Sequence, residues 1–275
     1  MQVLTSADAM TAWSLEHRAA GRRIGFVPTM GYLHAGHASL VDLARNHCDR
    51  AVVSIYVNPL QFGPDEDLDR YPRDADGDLA TCERHGAAAV FMPPTLYPSG
   101  FSTNVAVAGL TTGLCGAHRP GHFDGVTTVV ARLFGIVRPH IAVFGEKDYQ
   151  QLAVVRRMSR DLALGVEVVP GPLVRDSDGL ALSSRNRYLS PDERRRGRSL
   201  SRALWAMRDA DLSEVSQLIA LGRGILEVDA LDYLEVVCAE DLTPLERLDR
   251  PARALVAGMV GATRLIDGMN LEPRR

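Results

Sequence analysis

The sequence predicts an α/β protein in which a parallel sheet carries helices on both faces and a smaller C-terminal α+β domain follows. Two observations predict this class. Short apolar runs rich in β-branched residues alternate with longer segments of helical period as far as residue 169. The alternation stops near Pro170-Gly171-Pro172. The 275-residue chain is long enough for two unequal domains, which we expect at 1–174, with a Rossmann-like arrangement, and at 175–275.

The first domain is predicted to contain strands at 24–27, 51–57, 88–91, 141–144 and 166–169, each read from a short apolar run. Helical patterns lie between them at 37–47, 75–85, 125–137 and 148–162. Strands that alternate with helices in this way run parallel and are covered by helices on both sides.

The second domain begins with a clear helix start. Ser190-Pro191-Asp192-Glu193 offers a capping serine, proline at the first helical position and glutamate three residues after the cap. A second helix is predicted near Ser213, and strands at 233–238, 254–260 and 263–266. Helices and strands no longer alternate, so this part is predicted to be α+β.

Composition narrows the range of partners and compartments. The formal net charge is −3 at pH 7, and a nucleic-acid or membrane surface would favour a basic excess, so we expect a small-molecule partner instead. The four cysteines are far apart in sequence, which favours a reducing compartment over a disulfide framework or a zinc site. The N-terminal residues lack signal-peptide character and no long apolar run occurs, so a cytoplasmic location is expected.

The loop after the first predicted strand is the first candidate for chemistry. Ligands of an open parallel sheet bind beyond the carboxyl ends of its strands, and here the sequence runs P-T-M-G-Y-L-H-A-G-H over 28–37 into a helix. Gly31 and Gly36 permit tight turns, and the first amides of that helix would favour an anion. His34 and His37 have the spacing of a metal pair, but no third ligand is near in sequence.

The two common nucleotide-binding loops are missing from the sequence. Neither G-x-x-x-x-G-K-[ST] nor G-x-G-x-x-G after a strand occurs. If a nucleotide binds, the His-x-Gly-His loop must therefore hold its phosphates.

Lys147 is the single lysine among 31 basic residues. Chance is one explanation, because lysine is tolerated on any solvated surface. The other is that a compact ammonium on a flexible stem suits a single phosphate oxygen better than a planar guanidinium does.

Five motifs in the same order resemble the pantoate–β-alanine ligases, a family of the HxGH nucleotidyl-transferase superfamily. They are P-T-M-G-Y-L-H-A-G-H (28–37), V-N-P-L-Q-F (57–62), R-P-G-H-F-D-G-V (119–126), F-G-E-K-D-Y-Q-Q-L (144–152) and D-G-L-A-L-S-S-R-N-R-Y-L (178–189). The last hundred residues match more loosely. The resemblance implies that pantoate attacks the α-phosphorus of ATP to give pantoyl adenylate and pyrophosphate. The amine of β-alanine then displaces AMP.

The resemblance also implies the roles of individual residues. His37, His34 and Lys147 would be catalytic, with His37 donating a proton to phosphate oxygen when phosphates lie beside it. The implied ATP-binding residues are Met30, Gly31, His34, Gly36, His37, Gly145, Glu146, Lys147, Asp148, Val174, Leu182, Ser183, Ser184 and Arg185. Those implied for pantoate and β-alanine are Gln61, Gln151, Met30, Asn58 and Arg119.

Magnesium is expected with the triphosphate, without assigned protein ligands. A homodimer is implied, and closure of the small domain over the large one would complete the site. Three positions depart from common family patterns: Ala35 where many members have Glu, Leu182 where some have Met, and Gly268 where Asn is usual.

Two alternatives remain open from the sequence. The chain could be a nucleotidyl transferase of the same fold that stops at the adenylate or cytidylate product. It could also be a binding module without activity, although that would require a broken motif, and the five motifs are intact.

Overall fold

The computed structural model describes residues 1–274, and the larger of its sheets is entirely parallel. Its strands are β1 (Gln2–Leu4), β2 (Ile24–Thr29), β3 (Arg50–Ile55), β4 (Ala89–Phe91), β5 (Ile141–Gly145) and β6 (Glu167–Gly171). Their spatial order is β1-β4-β3-β2-β5-β6. The chain therefore leaves β2 toward β3 on one side and later returns to β5 on the other, which creates a crevice between the loops that follow β2 and β5.

Helices cover both faces of this sheet, as the sequence predicts. They are α1 (Ala7–Ala19), α2 (Ala35–His47), α3 (Ala75–Arg84), α4 (Leu114–His118), α5 (His122–Val137) and α6 (Tyr149–Asp161). Phe26 and Val52 belong to the core shared with α1, α5 and α6, whereas Val27 and Val53 belong to the core shared with α2 and α3. Successive strand residues thus point to opposite faces, and both faces are buried.

The C-terminal part forms a second, antiparallel sheet. Its strands are β7 (Ala230–Cys238), β8 (Ala252–Val260) and β9 (Thr263–Leu271), in that spatial order. The helices of this part are α7 (Pro191–Gly197), α8 (Ser199–Asp209) and α9 (Val215–Arg223). Helices α8 and α9 pack on the sheet through a core that includes Leu204, Leu218 and Val256. The predicted fold class is therefore confirmed.

The two parts share apolar packing. Tyr233, Val237 and Leu255 of the second sheet belong to the same buried cluster as Phe26 of β2 and Phe134 of α5. Division of the chain into domains at residue 174 stays a prediction.

Several elements were not predicted from the sequence. These are β1, α1, α4 and α8, and β9 runs five residues beyond the predicted end at 266. Helix α1 buries only Met10, Trp13 and Ser14, so its apolar stripe is too weak to be recognised. The predicted helix start at Ser190 is confirmed, with its reciprocal capping bonds to Glu193.

Short 3-10 helices occupy three of the loops important for the site: Pro59–Gln61, Glu146–Asp148 and Ser184–Tyr188. Within residues 1–274, none of the helices combines the length and the apolar character that crossing a membrane would require.

Candidate active site

The loops that follow β2 and β5 meet at one edge of the large sheet. The first leads through His34 into α2, and the second contains Lys147 and Asp148. A cavity of about 220 Å³ lies between them. All of the predicted site residues except Gly31 and Glu146 line it, namely Met30, His34, Gly36, His37, Asn58, Gln61, Arg119, Gly145, Lys147, Asp148, Gln151, Val174, Leu182, Ser183, Ser184 and Arg185.

Both histidines of the His-x-Gly-His loop use their Nδ1 atoms to cap α2. His34 Nδ1 accepts the backbone N–H of Gly36 at 3.1 Å, and His37 Nδ1 accepts that of His34 at 3.3 Å. A neutral imidazole that accepts at Nδ1 carries its proton on Nε2. Burial, with Lys147 nearby, lowers the pKa of His34 to about 4, and burial, with His34 nearby, lowers that of His37 to about 3. Both rings are therefore neutral Nε2–H donors in the free protein.

Asp78 of α3 holds the backbone of this loop. Its carboxylate accepts the N–H of Tyr32 at 2.8 Å and that of Leu33 at 2.6 Å, and the residue is only 3% exposed. Gly31 has φ +87°, and a Cβ there would lie 2.9 Å from the Asp78 carboxylate, so glycine is required by both backbone and space. Asp78 was not predicted as a site residue, because its distance of 45 residues in sequence from Leu33 leaves no local signal.

Lys147 is paired with its neighbour in the chain. Its Nζ lies 3.0 Å from Asp148 Oδ2, and the two side chains are 21% and 46% exposed. Burial opposes ionisation of Asp148, but Lys147 outweighs it and holds the pKa of this carboxyl below its usual value. The ammonium thus reaches the cavity with an ionised partner beside it.

Residues 183–188 form the second loop at the site, opposite the histidines. Ser183 Oγ caps the short helix by accepting the N–H of Arg185, and Ser184 Oγ donates to the carbonyl of Tyr32 at 3.2 Å. The second bond fastens this loop to the histidine loop. The guanidinium of Arg185 forms a fork with Asp67, in which Nε lies 2.8 Å from Oδ2 and Nη2 lies 2.7 Å from Oδ1.

Asn58 and Gln61 form a buried amide pair on the other side of the cavity. Asn58 Nδ2 donates to Gln61 Oε1 at 3.0 Å and to the carbonyl of Gly125 at 3.1 Å, while Tyr97 donates to Asn58 Oδ1 at 2.7 Å. Gly125 has no room for a side chain, since a Cβ would lie 2.1 Å from the carbonyl oxygen of Leu60. The amide of Gln61 is thus fixed in orientation, with its nitrogen toward Met30.

Arg119 and His122 support Gln61 through its backbone. The Arg119 guanidinium makes a fork with Glu66 at 2.7 and 2.6 Å, contacts His122 Nε2 at 2.9 Å and lies 3.4 Å from the carbonyl of Gln61. His122 Nδ1 lies 2.8 Å from the same carbonyl, to which it donates. Burial, with Arg119 next to it, lowers the pKa of His122 to about 4. This histidine therefore has its proton on Nδ1, opposite to His34 and His37.

His122 is a site residue that sequence reasoning missed. It lies within the quoted motif R-P-G-H-F-D-G-V, but nothing in the spacing indicates a partner in the strand-end loop 61 residues away. Glu146 also differs from expectation in its surroundings: its carboxylate lies 2.6 Å from Arg253 of β8, so its side chain connects the two parts of the chain instead of lining the cavity.

A larger cavity of about 530 Å³ adjoins the first, between the large sheet and β9. Some residues line both cavities, so the two spaces meet at a shared set of polar side chains: Arg119, His122, Lys147, Asp148, Gln151, Ser183 and Arg185. Among residues 1–274, no three His, Cys, Asp or Glu side chains lie close enough together to bind a metal ion.

Comparison with known proteins identifies the family. A family profile described as Pantoate-beta-alanine ligase matches residues 2–270. The pantothenate synthetases of Myxococcus xanthus and Heliobacterium modesticaldum are each 50% identical to the chain, over 98% and 99% of its length and 96% and 100% of theirs.

Solved structures agree with this result. A pantothenate synthetase from Thermus thermophilus superposes with a TM-score of 0.93 at 48% identity, covering 99% of this chain and 100% of that one. A pantoate-beta-alanine ligase from Francisella tularensis, solved with β-γ ATP and β-alanine, superposes with a TM-score of 0.81 at 30% identity over 98% of this chain and 97% of that one. The chain therefore belongs to the pantoate–β-alanine ligase family.

Proposed function

We propose that the protein joins pantoate to β-alanine at the expense of ATP, through a pantoyl adenylate, and releases AMP and pyrophosphate. The observation that carries the proposal is that the His-x-Gly-His loop, Lys147 and the amides of Gln61 and Gln151 all line the same cavity. Donors suited to a triphosphate thus lie beside neutral groups suited to a hydroxy acid. Membership of the ligase family supports the same reaction.

The first half-reaction brings an anion to a polyanion, so positioning and preorganised donors must supply most of the rate acceleration. We assign the Nε2–H groups of His34 and His37 to phosphate oxygens, and the ammonium of Lys147 to the same phosphates from the facing loop. A proton transfer from His37 would need an imidazolium, and the pKa of about 3 makes that species scarce in the free protein. Hydrogen-bond donation is therefore the role we propose for His37.

Pantoate is assigned to the amides. The side-chain oxygen of Gln61 is held by Asn58, which leaves the amide nitrogen of Gln61 for pantoate. Gln151 lines the same cavity. Neutral amides hold a carboxylate and hydroxyls without the ion pair that would weaken the nucleophile. Arg119 is neutralised by Glu66 and contacts Gln61 through its backbone, so we assign it to positioning. The larger cavity adjoins this point and gives β-alanine room to approach.

The nucleoside is assigned to the other end of the cavity, beside Gly145, Asp148 and Val174. The backbone carbonyl of Val174 accepts the N–H of Leu182 at 3.0 Å, which joins this segment to the start of the second loop. Magnesium is proposed to arrive with ATP, held by phosphate and water, as Mg²⁺ usually is. The homodimer and the cytoplasmic location stay predictions, and analytical ultracentrifugation of the purified protein tests the first.

Exchange of labelled pyrophosphate into ATP tests the proposed reaction. We expect exchange that depends on pantoate, and pantothenate with stoichiometric AMP after β-alanine is added. Pantoate-dependent exchange without pantothenate would instead support the adenylate-forming transferase. Exchange with a different acid or alcohol, and none with pantoate, would reject the proposed substrate.

A further inference from the structure

The cations that reach the cavity are each balanced by a carboxylate. Lys147 is paired with Asp148, Arg119 with Glu66 and Arg185 with Asp67, at 2.6 to 3.0 Å. The neighbouring histidines His34 and His37 are neutral in the free protein. The free site therefore has little net positive charge to offer a triphosphate, and release of positive charge from one of these pairs would favour binding.

The Arg119–Glu66 pair is not free to separate. The Arg119 guanidinium also contacts His122 and the carbonyl of Gln61, and its side chain is only 14% exposed. Loss of Glu66 would leave a buried charge without its partner and would disturb Gln61. This pair is part of the scaffold of the site.

The Arg185–Asp67 pair has a different environment. Within residues 1–274 the guanidinium forms hydrogen bonds to Asp67 alone, through Nε and Nη2, and Nη1 has no hydrogen-bond partner. The guanidinium carbon Cζ lies 5.7 Å from the ring centre of Tyr71, a contact that survives if the carboxylate leaves. A carboxylate and a phosphate present similar oxygen pairs to such a fork, so one can replace the other without a change in the arginine.

The Asp67 side chain can turn away from the fork while the backbone on either side, held at Glu66 and at the buried Tyr71, stays in place. No helix or strand occurs between the short helix at Pro59–Gln61 and α3, and the carboxylate of Asp67 accepts no side-chain hydrogen bond from any described residue except Arg185. Despite partial burial, Arg185 holds the pKa of Asp67 below its usual value, so the carboxylate is ionised. Its departure would return a charged group to water and would leave no other buried group unpaired.

We propose that the Asp67 carboxylate is a built-in competitor for phosphate, which occupies the Arg185 fork in the free protein and yields it to the triphosphate of ATP. The inference rests on the proposed binding of ATP at this site. It makes Asp67 a positioning residue that sets the affinity for nucleotide through Arg185. A purely structural Asp67 would support the site instead, and its loss would weaken binding.

The test is the dissociation constant of ATP for Asp67→Asn, measured by isothermal titration calorimetry at one magnesium concentration. We expect ATP to bind roughly three- to tenfold more tightly than to the wild type, the size expected for loss of one partly exposed ion pair. Inorganic tripolyphosphate should show the same gain, and adenosine should show none. Asp67→Ser provides a second variant if Asp67→Asn lowers the melting temperature.

Two matched variants show whether the gain acts through Arg185. In an Arg185→Gln background, Asp67→Asn should change ATP affinity less than about twofold, because no fork remains to be released. Glu66→Gln removes the neighbouring carboxylate and should give no gain. Weaker or unchanged ATP binding by Asp67→Asn, a gain that persists without Arg185, or an equal gain in Glu66→Gln would overturn the inference.

The result of the Asp67 binding test can be separated from the result of the exchange test of the proposed reaction. ATP binding needs neither pantoate nor β-alanine. If the wild-type protein binds ATP but shows no pantoate-dependent exchange, the proposed reaction is refuted. The effect of Asp67→Asn on ATP affinity can still be measured. Normal exchange together with no gain for Asp67→Asn refutes this inference alone.

Discussion

His37 accepts the backbone N–H of His34 at its Nδ1, at 3.3 Å, and the centres of the two rings lie 4.1 Å apart. The bond makes the second histidine part of the capping structure of α2 and at the same time decides which ring nitrogen carries the proton. Nε2 is left as the only N–H of the neutral ring. The cap and the donor that faces the cavity are therefore properties of the same side chain.

Replacement of His37 tests this assignment. We expect His37→Gln, whose amide nitrogen can take the place of Nε2–H, to form adenylate faster than His37→Asn or His37→Ala. The latter two should be slower than wild type by two or more orders of magnitude, as for loss of a preorganised donor. The measurement is single-turnover adenylate formation with pantoate and ATP. Equal rates for all three variants would contradict donation from Nε2.

Lys147→Arg tests why one lysine remains in an arginine-rich chain. The Lys147 side chain is 21% exposed and already lies 3.0 Å from Asp148, so a wider, planar guanidinium would have to displace a neighbour. We expect roughly tenfold slower adenylation, and a larger loss for Lys147→Ala, because Arg keeps the charge but not the shape. Arg160→Lys, at an exposed surface position, should have no effect. Near-normal adenylation by Lys147→Arg would mean that the single lysine has no special role and is explained by chance.

Acid should destabilise the protein before most carboxylates titrate. The pKa values of His34, His37 and His122 are lowered to about 4, 3 and 4 by burial. Between these values and 6.5 the unfolded chain binds protons that the folded chain does not, so stability is lost as pH falls below about 6.5. Each histidine should lower the free energy of unfolding by roughly 1 to 2 kcal/mol between pH 7 and pH 5.

Urea unfolding of His122→Gln at pH 7, 6 and 5 measures this contribution. Between pH 7 and pH 5 the variant should lose less unfolding free energy than the wild type, and the difference should equal the contribution of one histidine. His47→Gln, at the exposed end of α2, is the matched control and should follow the wild type. An unchanged pH dependence in His122→Gln would contradict the assigned burial effect.

The strands and helices that alternate in the large sheet could be predicted because each buries a face or stripe readable as a local period. The β1 strand and α1 could not, since three strand residues and three buried helix positions are too few to form a period. Helix α8 was missed because it follows α7 after Arg198 alone, and the single helix start at Ser190 does not indicate that two helices follow.

The residues of the site also divide into those with a local signal in the sequence and those without one. His34, Gly36 and Lys147 stand in compact motifs beside strand ends, so sequence identified them together. Partners that act from a distance left no such signal: Asp67 lies 118 residues from Arg185, and Asp78 lies 46 residues from Tyr32. Their importance follows from hydrogen bonds that exist only after the chain has folded.

Asp78 holds the histidine loop without reaching the cavity, so its replacement tests how far the loop depends on this support. Asp78→Ala would leave the buried N–H groups of Tyr32 and Leu33 without an acceptor, at about 1 to 3 kcal/mol each. Asp78→Asn keeps one acceptor oxygen and should lose less. Because the loop then holds its imidazoles less firmly, adenylate formation should slow on the order of tenfold in Asp78→Asn, with ATP binding weakened as well.

Urea unfolding and single-turnover adenylation, measured on the same preparations, separate the two effects of Asp78. Asp76→Asn is the matched control, since Asp76 lies in the first turn of the same helix but is exposed. It should match the wild type in both measurements. Asp78→Asn with wild-type adenylation despite lower stability would mean that the loop keeps its geometry without this carboxylate. The hold on Tyr32 and Leu33 would then contribute to the fold alone.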